Sequence, residues 1–427
     1  MKFIVKKTKS LTGTAEIPGS KSHTIRAIVI ASLAQGQSKI FKPLESEDTM
    51  AAVNACKCLG AEINTEKKYW TIKGFSGTPL IPSSGYLDLK NSGTSFNLIC
   101  GVVSLGHFEV ILDGDNSLRS RPVEPLLTAL RNIGAQAVSI NGNGKPPVKI
   151  KGRIKGGETT VDGINSQFLS SLLISSPLAD NNTEITAVNL HEKPYVKMTL
   201  RWLDEQKIHY EKNEDLSHFI VWGNQSYKPF EKQIPGDWSS ATFPIVAAAI
   251  TKSDILVKGI DLNDEQGDKK VIDYLRNAGA VINKSPEGVR IKGDLLKGIE
   301  IDLNETPDAL PALAVMGCMA EGITVLKNVQ QARIKETDRI SVMSEELKKM
   351  GADIKEMEDG LVIRKSNLKG ATVDGHKDHR VVMALTLAGL IAEGTTIITT
   401  AESVSVTFPG FLEMIKNLGA DIEVVKE

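Results

Sequence analysis

The sequence predicts an α/β protein of two domains, each holding three copies of one strand–helix unit. Three observations predict this: a chain of 427 residues, a pattern that returns about every seventy residues, and two alternating kinds of helix. At the usual ~150 residues per domain the length suggests two or three domains. Hydrophobic residues make up 41% and charged residues 24%, as in ordinary globular proteins. Lys and Arg number 51 against 52 Asp and Glu, a net charge of −1. That balance gives no global attraction to nucleic acid or to an acidic membrane.

The repeat is first visible in "IPGSKSHTIRAIVIASLAQG", Ile17 to Gly36. A polar knot, Ser20 to Thr24, runs straight into an apolar helical segment. The same switch occurs at "NSGTS", "NSQ", "DWSS", "ETP" and "GHKD". Marked by Arg26, Phe96, Phe168, Ala241, Asp308 and His379, the intervals are 70, 72, 73, 67 and 71 residues. A second marker keeps the same beat, a glycine ending a helical pattern at Gly60, Gly134, Gly279, Gly351 and Gly419. Such a glycine suits the left-handed residue just past a helix. The missing member falls near Lys207, in "RWLDEQKIHY", where no glycine stands. Fixed-period self-similarity of this kind marks a repeat architecture.

The helices that follow the knots, such as "AIVIASLA" and "VVMALTLAGLIA", are apolar nearly all round, so they are expected to be buried. Their small residues allow close helix approach. The second helix of each unit is amphipathic. In "EELKKMGADIKEMEDGLVIRK" a helix ends at Gly351, and Ala352 to Lys365 reads as a turn-linked strand pair. Three units bundle three buried helices in one domain, and six units give two domains.

The knots carry the chemistry. A helix N-terminus exposes unpaired N–H groups and roughly half a positive charge, so several mouths gathered together attract anions. Cations stand at or after these mouths: Lys21 and Arg26, Arg119 and Arg121, Lys335 and Arg339, and His379 with Arg380. A substrate with more than one anionic group is expected. Taken singly, each motif also reads as ordinary structure. Ser20 and Asn91–Ser92 are standard caps, Lys335 and Arg339 could share a solvated helix face, and Arg380 could snorkel behind a capping Asp378. Their recurrence at one phase of the repeat favours the functional interpretation.

Four cysteines, Cys56, Cys58, Cys100 and Cys318, are too scattered for a disulfide framework or a metal site. The opening "MKFIVKKTKS" is too short for a signal-peptide core, and no stretch approaches ~18 apolar residues. A cytoplasmic enzyme is the expectation.

The blocks "PGSKSHTIRA", "NSGTS", "DGDNSLRSRPVEPLLTALRNIGA", "NSQFLSSLL", "KPYVKMT", "PGDWSSATFPIVAAAI", "PDALPALAV", "RIKETDR", "DHRVVMAL" and "VTFPGF" run in order along the whole chain. Together they resemble the enolpyruvyl (carboxyvinyl) transferase family, in its shikimate 3-phosphate branch. The resemblance implies a two-domain inside-out α/β barrel of six βαβαββ repeats, three per domain, with parallel buried helices. It places one domain at residues 20–232 and the other at 1–19 plus 233–427. It also implies transfer of the carboxyvinyl group of phosphoenolpyruvate (PEP) to the 5-hydroxyl of shikimate 3-phosphate, in aromatic amino acid biosynthesis. No metal, no organic cofactor, no nucleic acid partner and a monomer are implied.

Carried onto this sequence, the resemblance makes Lys21, Asp308 and Glu336 the acid/base set. PEP would be held by Lys21, Asn91, Gly93, Arg121, Gln167, Arg339 and Arg380. Shikimate 3-phosphate would be held by Lys21, Ser22, Arg26, Asn165, Ser166, Tyr195, Asp308 and Lys335. Four positions depart from the family pattern. Asn97 and Val406 stand where the pattern has cations, and Asn165 and Glu192 stand where it has phosphate-binding serines. Glu192 bears most on the acceptor, because a carboxylate repels a phosphate. It either turns away to pair with Lys193 or Lys197, or the acceptor lacks a phosphate there. A sister branch acting on a sugar nucleotide generally uses a loop cysteine, and no cysteine lies between Gly106 and Val123. Relatives acting on RNA ends reuse similar units, but the neutral charge and sparse aromatics do not suit RNA.

Overall fold

The computed structural model describes residues 1–66 and 68–426. Its strands form six four-stranded sheets of one design. The unit beginning at Gly157 shows how sequence makes it. Strand Gly157–Asp162 leads through the Asn165 cap into helix Ser166–Ser175, buried at every residue but Gln167. Strand Thr183–Val188 returns parallel to the first. Its burial alternates residue by residue, the signature of a sheet with one covered face. The amphipathic helix Lys193–Glu205 follows, then the antiparallel pair Tyr210–Lys212 and His218–Val221. The sheet order is therefore first, second, fourth, third.

The chain divides into two compact units, Gly19–Ile234 and Met1–Pro18 with Pro235–Glu427. In the first, helices Lys21–Leu33, Gly93–Val103 and Ser166–Ser175 pack into one core. Gly101 makes the approach possible, since a Cβ there would fall 2.6 Å from Ser171 Oγ. In the second, helices Trp238–Ile250, Leu310–Met319 and His379–Ile391 form the core. All thirteen residues of Trp238–Ile250 are buried.

Two exchanges complete the units. Strand Thr12–Glu16 pairs in parallel with Asp254–Lys258, far along the chain, and Glu231–Gln233 pairs in parallel with Gln37–Phe41. The last sheet takes its fourth strand from the chain start: Lys2–Lys6 lies between Thr395–Thr399 and Ile422–Val425, with Lys2 opposite Val425.

The glycine beat is a row of left-handed residues, with φ of +104° at Gly60, +111° at Gly134, +114° at Gly279, +89° at Gly351 and +106° at Gly419. At the beat without a glycine, Lys207 itself adopts φ +58°. Its N–H donates to Asp204 O, and Ile208 N–H to Leu203 O, closing the helix as at the other positions. A 3₁₀ turn at Pro307–Ala309 precedes helix Leu310–Met319, and Thr306 makes no side-chain cap. One local expectation changes. Lys335 lies before helix Arg339–Lys349 rather than on it, so it shares no helix face with Arg339.

The same backbone demand predicts opposite signs at two positions. A Cβ at Gly351 would meet only Asn367 O, at 3.9 Å. Gly351→Ala is therefore expected to cost only the left-handed strain, about 1–2 kcal/mol. Lys207→Gly relieves that strain and should stabilise by up to about 1 kcal/mol. Urea unfolding midpoints check both; equal shifts of one sign would contradict the assignment.

Candidate active site

In the Gly19–Ile234 unit, three helix mouths carry candidate site residues. Ser20 caps the first, accepting from His23 N–H, and Lys21 is the first helical residue. Lys21 Nζ lies 3.0 Å from Asp48 Oδ2, and both side chains are largely buried. Asp48 sits in the first turn of helix Glu47–Cys58. One turn after Ser22 comes Arg26, fully buried. Its guanidinium donates to Thr199 Oγ1 at 2.8 Å, Ser22 O at 3.1 Å, and Ser170 Oγ and Tyr195 O at 3.2 Å. Burial lowers the Arg26 pKa to about 10. Most of its donors are thus spent on neutral groups of the protein.

At the second mouth Ser92 caps helix Gly93–Val103. Arg121 lies against it: Nη2 donates to Asn91 Oδ1 at 2.6 Å and to Ser117 Oγ at 3.0 Å. A Cβ at Gly93 would stand 2.8 Å from Arg121 Nη1, so glycine makes room for this guanidinium. Arg121 Nε is buried with no hydrogen-bond partner among the described residues. Arg119, expected as a second cation here, instead forks onto Asp113 at 2.9 and 2.7 Å.

The third mouth is capped by Asn165, whose Oδ1 accepts from Gln167 N–H at 3.0 Å. Gln167 donates to Thr94 Oγ1 at 3.0 Å and accepts from Asn97 Nδ2 at 2.8 Å, which ties it to the second mouth. Glu192 has φ +52° and precedes helix Lys193–Glu205. It is buried, and its Oε2 accepts from Ser166 Oγ at 2.9 Å.

In the other unit one guanidinium gathers three carboxylates. Arg339, 1% exposed, donates from Nε to Asp378 Oδ2 at 2.8 Å, from Nη1 to Asp308 Oδ1 at 2.7 Å and from Nη2 to Glu336 Oε2 at 2.6 Å. Asp378 also caps helix His379–Ile391 through Arg380 N–H at 2.8 Å. Arg380 is buried, with Nη2 3.1 Å from Asp308 Oδ2. Its Nη1 is buried with no partner among the described residues. Neither arginine lies on a solvated face or snorkels.

A family description, "EPSP synthase (3-phosphoshikimate 1-carboxyvinyltransferase)", matches the chain over residues 5–415. The chain belongs to this family. A 3-phosphoshikimate 1-carboxyvinyltransferase of Acetivibrio thermocellus is 51% identical over 418 residues, covering 98% of each chain. One from Ruminiclostridium cellulolyticum is 46% identical over 423 residues, covering 99% of this chain and 100% of its own. The 2.37 Å structure of EPSP synthase from Acinetobacter baumannii aligns over 100% of both chains, at 31% identity and a TM-score of 0.84. The mixed α/β fold agrees with it.

Against the family pattern, the four departures now have places. Asn97 fixes Gln167. Asn165 spends its oxygen on the cap, which leaves the amide N–H group as its donor end. Val406 is half-buried at the end of a 3₁₀ turn, Ala401–Val406, and brings no charge. Glu192 turns to Ser166, a residue expected to hold the acceptor. Asp48 and Asp378 were missed as site residues. Asp378 was legible only as a cap, and no sequence motif singled out Asp48. Among the described residues, no group of three or more His, Cys, Asp or Glu could hold a metal ion, and no helix is long and apolar enough to cross a membrane. Cys56 and Cys318 are buried, which pushes each thiol up to about 12.

The electrostatics favour an ionised Asp308. Burial pushes the Asp308 carboxyl up, but Arg380, Arg339 and Lys335 outweigh it and hold the pKa well below the usual range. Burial pushes Arg339 down, and Asp378, Glu336 and Asp308 more than reverse it. Removing one partner from such a buried cluster leaves the others uncompensated. Arg339→Met should therefore cost about 3–5 kcal/mol at neutral pH, read by urea unfolding. In the wild type the Asp308 pairing contributes above the ordinary Asp pKa and is lost as pH falls through the depressed native one. In the variant the carboxylates repel, so protonation relieves them. The deficit should shrink toward about pH 5; a deficit that grows on acidification contradicts this account.

Proposed function

We infer that the protein transfers the enolpyruvyl group of PEP to the 5-hydroxyl of shikimate 3-phosphate, releasing phosphate. One observation supports it most: each unit buries a cationic donor at a helix mouth with no partner among the described residues, Arg121 Nε in one and Arg380 Nη1 in the other. A buried unmet donor costs about 1–3 kcal/mol, more when charged, and an anion offsets that cost. PEP has two anionic groups. Arg121, with Asn91, Gln167 and the N–H groups at Gly93, suits its phosphate. Arg380 and Arg339 suit its carboxylate, which guanidinium grips in a fork. Ser22, Asn165, Ser166, Tyr195 and Lys335 would hold the acceptor with Arg26, whose fixed bonds make it a support for Ser22 and Tyr195.

In the reaction the acceptor oxygen bonds to PEP C2 while a proton adds to the C3 methylene. The C2–O bond to phosphate then breaks, and C3 returns a proton as the double bond re-forms. Asp308, ionised beside Arg339 and Arg380, serves as base for the acceptor hydroxyl. Lys21, held as an ammonium partner of Asp48, supplies positive charge to the departing phosphate and a proton donor. Glu336 completes the proton transfers at C3. No metal or organic cofactor takes part, and the protein works in the cytoplasm as a monomer.

A second reading rests on Glu192. Its carboxylate at Ser166 disfavours an acceptor phosphate and would suit an acceptor without one. The two are separated by measuring phosphate release from PEP with shikimate 3-phosphate and with shikimate in parallel. Release with the phosphorylated acceptor alone is expected; release with shikimate supports the second reading. On the first reading, Glu192→Ser should lower KM for shikimate 3-phosphate about tenfold, the worth of one charged contact. Lys21→Ala should lower kcat by about 100-fold or more, the scale of one acid/base group; a near-normal rate would remove Lys21 from that role.

A further inference from the structure

A buried glutamate outside the reaction machinery holds the segment that carries Asp378 and Arg380. Glu346 lies seven residues after Arg339 in helix Arg339–Lys349, so the two share one helix face. Its side chain is fully buried. Oε1 lies 2.7 Å from His376 Nε2 and 2.8 Å from Lys349 Nζ, and Oε2 accepts from Asp374 N–H at 3.1 Å. The same helix face therefore grips this segment twice, through Arg339 at Asp378 and through Glu346 at His376 and Asp374.

The turn between these grips is strained. His376 and Lys377 are consecutive non-glycine residues in the left-handed region, with φ +51° and +57°. Such a pair persists only where its surroundings impose it. Asp374 Oδ1 accepts from His376 N–H at 2.9 Å and from Thr400 Oγ1 at 3.0 Å, and Lys377 N–H donates to Thr400 Oγ1 at 3.2 Å. Asp378 N–H then donates to Gly375 O at 2.9 Å. A Cβ at Gly375 would fall 2.1 Å from Val382 Cγ2, so the turn is pressed onto helix His379–Ile391.

We propose that Glu346 and His376 are positioning residues for the PEP carboxylate: together they fix the strained turn that sets where Asp378 and Arg380 stand. This rests on the assignment of Arg380 to PEP made above. Neither residue touches substrate in the proposed reaction. Their effect passes through Asp378, which holds Arg339 from one side and the Arg380 N–H from the other.

The test compares His376→Asn, His376→Gln and Arg380→Gln with the wild type, measuring KM for PEP, KM for shikimate 3-phosphate and kcat. Asparagine tolerates the left-handed turn but is too short to reach Glu346, whereas glutamine can donate from a position close to that of Nε2. His376→Asn should raise KM for PEP about tenfold, the scale of a displaced binding group, with KM for the acceptor unchanged. His376→Gln should restore KM for PEP. Unchanged KM for PEP in His376→Asn, beside a raised value in Arg380→Gln, overturns the positioning role. Equal rises in both KM values, unrescued by glutamine, overturn it too, because a general loosening of the fold would produce them. An unchanged KM for PEP in Arg380→Gln would show that the assignment of Arg380 fails, and the positioning role falls with it.

Discussion

A buried guanidinium with three carboxylates around it is the constraint on which the rest of this structure turns. Arg339 can lie 1% exposed only because Asp308, Glu336 and Asp378 meet it. Each charge alone would be too costly to bury. Asp308 comes from the mouth of helix Leu310–Met319, Glu336 from the loop before Arg339, and Asp378 from the mouth of helix His379–Ile391. Two consecutive repeats must therefore bring their mouths together before any of these groups can be buried. Arg380 joins through Asp308, and the cluster keeps Asp308 ionised.

The Gly19–Ile234 unit handles its cations differently. Arg26 is buried among hydroxyls and carbonyls, with no carboxylate among its hydrogen-bond partners in the described residues, so burial lowers its pKa. Arg121 is held by Asn91 and Ser117, again neutral groups. Lys21 has a carboxylate partner, Asp48. Arg26 and Arg121 are thus held by neutral groups, whereas Arg339 and Arg380 are balanced by carboxylates.

Much of the fold is legible in the sequence because its signals are local. A polar knot before an apolar run marks each buried helix, and a left-handed residue after each amphipathic helix marks the return to the sheet. Even the missing glycine was legible as a gap, and Lys207 fills it with the same backbone. Pairing across the chain ends was not legible, since nothing local in Lys2–Lys6 says that it lies beside Ile422–Val425. The site divides along the same line. The cations announced themselves by their place in the repeat, but their partners did not. Arg26 meets Thr199 across 173 residues. Arg119 was expected to face an anionic ligand, yet Asp113, six residues earlier, already takes its fork. Asp378 looked like a cap and is one, but the cap geometry also aims its second oxygen at Arg339.

The central claim is electrostatic: Asp308 stays a carboxylate through the neutral range because its arginines outweigh its burial. Protein labelled with carbon-13 at the aspartate side-chain carboxyls allows a direct check by NMR titration, with the Asp308 signal identified by its loss in Asp308→Asn. The account predicts a signal that keeps its ionised shift from alkaline pH down past the ordinary Asp pKa of about 3.9. A signal that titrates near neutrality would contradict it.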